Sequence, residues 1–72
     1  MFGTIRFKVD EKIRESGMSK NKFSQRAELQ RTQLNHYCRG DIARLDVDVL
    51  ARICHTLGCR IEDILEYVPP EE

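Results

Sequence analysis

Met18-Ser19-Lys20-Asn21-Lys22-Phe23-Ser24-Gln25-Arg26-Ala27-Glu28-Leu29-Gln30-Arg31-Thr32-Gln33-Leu34-Asn35-His36-Tyr37-Cys38-Arg39-Gly40 is the stretch that decides the fold. Ser19 is a good N-cap, because its hydroxyl can accept from an unpaired N–H of a first helical turn. It opens a helix that runs to Ala27. Lys22 stands where a capping box would place Glu or Gln, so that box is absent. Met18 is read as a hydrophobic staple onto this helix. A second helix spans 31–39 and stops at Gly40, which takes a left-handed cap at little cost. The first helix turns Phe23 and Ala27 inward; the second turns Leu34, Tyr37 and Cys38 inward.

The two helices meet across Glu28-Leu29-Gln30. Ser24 and Ala27 are small where the helices must approach. A short turn between two helices that both pack on a third is the helix-turn-helix arrangement, here with helices at about 19–27 and 31–39. On a wheel of about 100° per residue, Arg31, Thr32, Asn35, His36 and Arg39 share one polar arc, and the apolar side chains fill the other. That arc carries no acid.

Outward from this unit the pattern stays helical. Residues 9–16 form a helix with Val9 and Ile13 one turn apart, ended by Gly17. Asp46 caps a fourth helix whose Leu50, Ile53, Cys54 and Leu57 follow the i, i+3, i+4, i+7 rule, ended by Gly58. A short fifth helix at about 61–67 is expected to bury Ile61, Ile64 and Leu65. Pro69 and Pro70 forbid its continuation, and Glu71-Glu72 is a solvated tail. Ile5, Phe7 and Val9 alternate with Arg6 and Lys8, the period of a strand. Residues 42–45 are a second strand candidate, so a two-stranded ribbon of about 5–8 with 42–45 is expected. The fold expected is all-α, five helices in one domain over 1–72.

The chain has 72 residues, too few for a multi-domain enzyme or a large pocket. No apolar run approaches the roughly 20 residues of a membrane span, and the start does not read as a secretory signal. Cys38, Cys54 and Cys59 leave one thiol over after any pairing, which suits a reducing cytoplasm. The formal net charge is zero, but it is unevenly spread. Residues 1–40 hold nine Lys/Arg against four acids, and residues 41–72 hold three Arg against eight acids. A basic working surface on an acidic support points to a polyanionic partner.

The polar arc carries the chemistry that base edges require: Arg for guanine, Asn for adenine, Thr for a thymine methyl. Ser19, Lys20, Lys22 and Arg26 flank it with groups suited to phosphates. These features together resemble the helix-turn-helix of the lambda-repressor-like Cro/CI (XRE) family. Val49 to Cys59 resembles that family's fourth helix, and Asp63 to Pro69 resembles a subgroup of short, stand-alone bacterial regulators. The resemblance covers about residues 5–69.

It implies a transcriptional regulator that binds double-stranded DNA. Base-reading positions fall on Gln30, Arg31, Thr32, Asn35 and His36. Phosphate-facing positions fall on Ser19, Lys20 and the loop near Arg39 and Arg44, beside Lys22 and Arg26. The sequence departs from the family pattern at Glu28, where the turn usually holds Gly, and at Gln30, a poorer cap than Ser or Thr. Cys38 stands where many members carry an acid, and Ile13 stands at the place of that acid's Arg partner. A module this small needs a dimer for useful specificity, with Tyr67 and Val68 on the last helix as the expected contact.

Other readings are weaker. Cys54, His55, Cys59 and His36 do not make a persuasive zinc set, because Cys54 lies on an apolar helix face. Cys38 beside a basic face could have a lowered pKa and act as a redox sensor, but burial is the preferred reading. Ser16, Ser19 and Ser24 have no His/Asp company, and there is no phosphate-cradling glycine loop, so no catalysis is expected. No cofactor, metal or small-molecule ligand is expected. The alternative function is a protein-interaction module, antitoxin-like or regulator-binding, on the same scaffold without DNA affinity.

Overall fold

A computed structural model describes residues 2–71. In chain order it has β1 (Thr4–Phe7), α1 (Val9–Ser16), α2 (Lys20–Ala27), α3 (Arg31–Arg39), α4 (Val47–Leu57), α5 (Ile61–Ile64) and β2 (Leu65–Val68). Each cap expected from the sequence is made. The Ser19 hydroxyl accepts from the Lys22 N–H at 3.1 Å. Asp46 Oδ1 accepts from the N–H groups of Asp48 and Val49 at 2.9 and 3.3 Å. Gly17, Gly40 and Gly58 all end their helices in the left-handed conformation.

One core serves all five helices. Ile13 of α1, Phe23 of α2, Leu34 of α3, Ile53 of α4 and Ile64 of α5 are almost completely buried. Met18 packs against this core from the position of a staple. Cys38, Cys54, Leu57 and Cys59 also pack against it, half-buried. Tyr37 joins three parts of the fold. Its ring meets Phe7 edge-on at 6.4 Å, and its hydroxyl accepts from the Asp46 N–H at 3.0 Å, just before α4.

The ribbon exists, with a different second strand from the one expected. β1 pairs antiparallel with β2, in the register Thr4↔Val68, Ile5↔Tyr67, Arg6↔Glu66 and Phe7↔Leu65. Residues 42–45 form a loop in which Ala43, Arg44 and Leu45 are exposed and only Ile42 packs on the core. The fifth helix is correspondingly shorter: it is one turn, and the chain becomes extended at Leu65 (φ −130°, ψ 140°). Leu65 and Tyr67 alternate with Glu66, a period-two pattern that also fits the end of a helical i, i+3, i+4 reading. Strand pairing decides between them by supplying partners: Phe7 opposite Leu65 on the side toward the core, and Arg6 to Glu66 at 3.2 Å on the other. Ile61, expected inside, is 46% exposed. It sits on the first residue of a single turn whose inward position belongs to Ile64.

The α2–α3 turn is a Schellman motif. The Leu29 N–H donates to the Ser24 carbonyl at 2.9 Å, and the Glu28 N–H donates to the Gln25 carbonyl at 3.3 Å. Glu28 therefore adopts φ 56°, the only positive φ outside glycine among the described residues. A left-handed residue with a Cβ costs about 1–2 kcal/mol, partly offset by the lower chain entropy of any residue other than glycine. Glu28→Gly is expected to stabilise the fold by about 0.5–1 kcal/mol, read as a higher urea midpoint with an unchanged slope.

Candidate nucleic-acid interface

α3 is divided along its length. Leu34 and Tyr37 are buried and Cys38 is half-buried. Arg31, Thr32 and Arg39 are exposed, and Asn35 and His36 are half-buried. The polar arc is thus open to solvent along the helix. The apolar face holds α3 on the core, so presenting the arc requires no rearrangement. Gln30 precedes α3 as its N-cap, exposed and extended, with no side-chain hydrogen bond to the first turn. The N-terminal N–H groups of α3 are left without a side-chain cap.

The phosphate candidates divide by surroundings. Ser19 uses its hydroxyl oxygen as the α2 cap and keeps its O–H free to donate. Lys22, Arg31 and Arg44 make no ion pair among the described residues. Lys20 lies 3.4 Å from the Asp10 carboxylate, which also meets Arg14 at 3.3 Å. Both pairs are partly exposed, and such surface pairs are worth at most about 1 kcal/mol, so Lys20 can exchange Asp10 for another anion. Arg26 lies toward α4. Its guanidinium approaches the Met18 sulfur at 3.9 Å, and it lines a small cleft of about 170 Å³ with Glu28, Arg52 and His55.

Three features were not legible in the sequence. Arg52 of α4 donates to the Glu28 carbonyl at 2.8 Å and pairs with Asp48 at 3.1 Å. It thereby ties α4 to the turn before α3. Asp41 is the second. Its carboxylate accepts from His36 Nδ1 at 2.8 Å and from Arg39 Nε at 3.1 Å, so an acid from outside α3 lies beside the acid-free arc. The signal for it was an acid directly after the capping glycine, with a basic residue at each of the two positions it folds back upon. The third is that Ile5 and Tyr67 face each other on an exposed part of the ribbon, at 52% and 58% exposure.

Burial pushes the Cys38 thiol above its ordinary pKa, outweighing the nearby positive charges of Lys20 and Arg31. Cys59 moves the same way, again chiefly through burial. Burial, the preferred reading of Cys38, therefore holds over the low-pKa alternative: desolvation exceeds the pull of the basic face. No group of metal-ligating side chains occurs among the described residues.

These shifts set two pH responses of opposite sign. The thiols' folded pKa values are raised, so their contribution to stability is intact below the ordinary cysteine value of about 8.5 and is lost as pH rises through the folded values. Asp41 is lowered, first by the hydrogen bond from His36. Its contribution is present above the ordinary aspartate value of about 3.9 and is lost as pH falls through the lower folded one. The difference in urea midpoint between the wild type and Asp41→Asn is expected to close in acid. Cys38 is expected to react with iodoacetamide more slowly than free cysteine at neutral pH, and to reach the free rate in denaturant.

No curated protein is found to match this chain. Among protein families, the model of the Cro/C1-type HTH DNA-binding domain matches residues 8–70, from the end of β1 through α1–α5 to the residues just past β2. That span contains the capped α2, the Schellman turn and the solvent-facing arc of α3, and on it the chain belongs to the Cro/C1-type helix-turn-helix DNA-binding domain family.

Proposed function

We propose that the protein is a transcriptional regulator that binds double-stranded DNA sequence-specifically and lays α3 into the major groove. The observation that carries this reading is the exposed arc of α3, whose Arg31, Thr32, Asn35 and His36 stand over a buried apolar face. Gln30 lies at the entry of the same helix. Arg31, Thr32 and Asn35 read bases by the pairings that major-groove edges allow. Ser19, Lys20, Lys22, Arg39 and Arg44 dock phosphates, and Arg26 joins them from the α4 side. No helix of the described residues is long and apolar enough to cross a membrane. We place the protein in the cytoplasm, on DNA.

We further propose that two copies bind together through the ribbon, so that two α3 helices meet half-sites one helical turn, about 34 Å, apart. What supports the location is the exposed cross-strand pair Ile5–Tyr67; Val68, opposite Thr4, lies on the other face of the ribbon. The contact expected on a terminal helix thus moves to a strand. Tyr67→Glu is expected to shift the protein to monomer in sedimentation and to weaken operator binding.

The deciding experiment is duplex binding as a function of salt. Affinity for DNA should fall linearly on a log–log scale, with a slope of about −0.9 for each phosphate neutralised. Arg31→Ala should cost about 1–3 kcal/mol and relax one base preference, while Lys20→Ala should weaken all sequences alike. The second reading, an interaction module without DNA affinity, is favoured by the zero net charge. Equally poor binding of every duplex at low salt would establish it.

A further inference from the structure

We propose that Asp41 is a positioning residue for base recognition. Its carboxylate fixes the hydrogen of His36 on Nδ1, so that His36 presents Nε2 as a hydrogen-bond acceptor, selecting the exocyclic amino group of cytosine or adenine. The inference rests on the reading of α3 as the major-groove helix and names what one of its side chains recognises.

The geometry begins with the backbone. Gly40 at φ 72° turns the chain back at the end of α3. The N–H groups of Gly40 and Asp41 both donate to the His36 carbonyl, at 2.9 and 3.4 Å. This holds the Asp41 backbone one turn below the His36 side chain, and its carboxylate reaches back to His36 Nδ1 at 2.8 Å and to Arg39 Nε at 3.1 Å. An added Cβ at Gly40 would lie 3.0 Å from the Phe7 ring. The turn that places Asp41 is therefore fixed from below as well as by its own hydrogen bonds.

Chemistry assigns the proton. An ionised carboxylate only accepts hydrogen bonds. Arg39 also donates to it, and the pKa of Asp41 lies below its ordinary value, so the carboxylate is ionised near neutrality. The imidazole nitrogen facing it must carry the hydrogen. In a neutral ring the other nitrogen is then a lone pair, since the partner of one nitrogen sets the state of the other. In the major groove guanine offers only acceptors, N7 and O6, and thymine offers O4; cytosine offers N4–H and adenine N6–H. A lone pair at Nε2 is matched by the last two and repelled by the first two. Arg39, with Nε occupied, keeps its two terminal amino groups for phosphate.

The test has two arms, both run at a pH of about 8, above the ordinary histidine range. Nitrogen-15 NMR of the free protein reads the tautomer of His36 without DNA. The Nδ1–H form is expected in the wild type and its loss in Asp41→Ala, whose exposed position leaves the fold intact. Selection of bound sites from random duplex then compares the wild type, Asp41→Ala and His36→Ala. One position is expected to favour cytosine or adenine about 3- to 10-fold in the wild type. That preference should vanish in His36→Ala and vanish or turn toward guanine in Asp41→Ala, with the other positions unchanged.

Identical imidazole signals in the wild type and Asp41→Ala would overturn the proposal. So would identical selected sites in the wild type and His36→Ala. Either result leaves the major-groove reading standing if Arg31→Ala still relaxes its own position. A wild type that selects no sequence overturns that reading, and this inference with it.

Discussion

The placement of α3 depends on how its preceding turn is closed. Leu29 must be buried, at 7% exposure, while its N–H reaches back to the Ser24 carbonyl. Both conditions are met only if Glu28 turns left-handed. Arg52 then donates to the carbonyl of that strained residue from α4, so the turn is held from within α2, from the core below and from α4. α3 leaves this turn with its direction set. Its apolar side chains reach the common core without choice of rotation, because Leu34 and Tyr37 lie on the face that the turn directs inward. The solvent-facing arc is the remainder of that constraint.

Charge is organised on the same frame. Around α2 and α3 the basic excess of residues 1–40 is tempered by Asp10 beside Lys20 and by Asp41 beside His36 and Arg39. All these pairs are partly exposed, so none locks the fold. Lys22, Arg31 and Arg44 are left without such a partner among the described residues. The surface thus combines ion-paired cations with unpaired ones.

Local signals carried most of the fold. Ser19, Asp46, Gly17, Gly40 and Gly58 mark helix ends through chemistry confined to a few residues, and α1–α4 have the expected limits. The inward residues Phe23, Leu34 and Ile53 follow from periodicity alone. What escaped was non-local. Leu65-Glu66-Tyr67-Val68 fits both a helix end and a strand, and only the presence of Arg6 and Phe7 across the ribbon decides between them. The same holds at the site. The polar arc was readable from spacing along one helix, whereas Arg52 reaches the turn from 24 residues away. Asp41 was close in sequence but gained its place from the cap geometry, which turns the residue after glycine back over the last helical turn. Burial of Cys38, preferred over a lowered pKa because the residue lies toward the apolar face of its helix, was legible from that position, and desolvation there outweighs the basic neighbours.

The ribbon joins segments at opposite ends of the described chain: the Arg6–Glu66 contact spans a separation of 60 residues. Closing so long a loop is entropically costly before other contacts exist, whereas every helix here closes over a few residues. The helices can therefore assemble first, and the ribbon zips onto a core already formed. Any association built on the ribbon would then brace the junction of these two distant segments while α3, anchored on the core, stays in place.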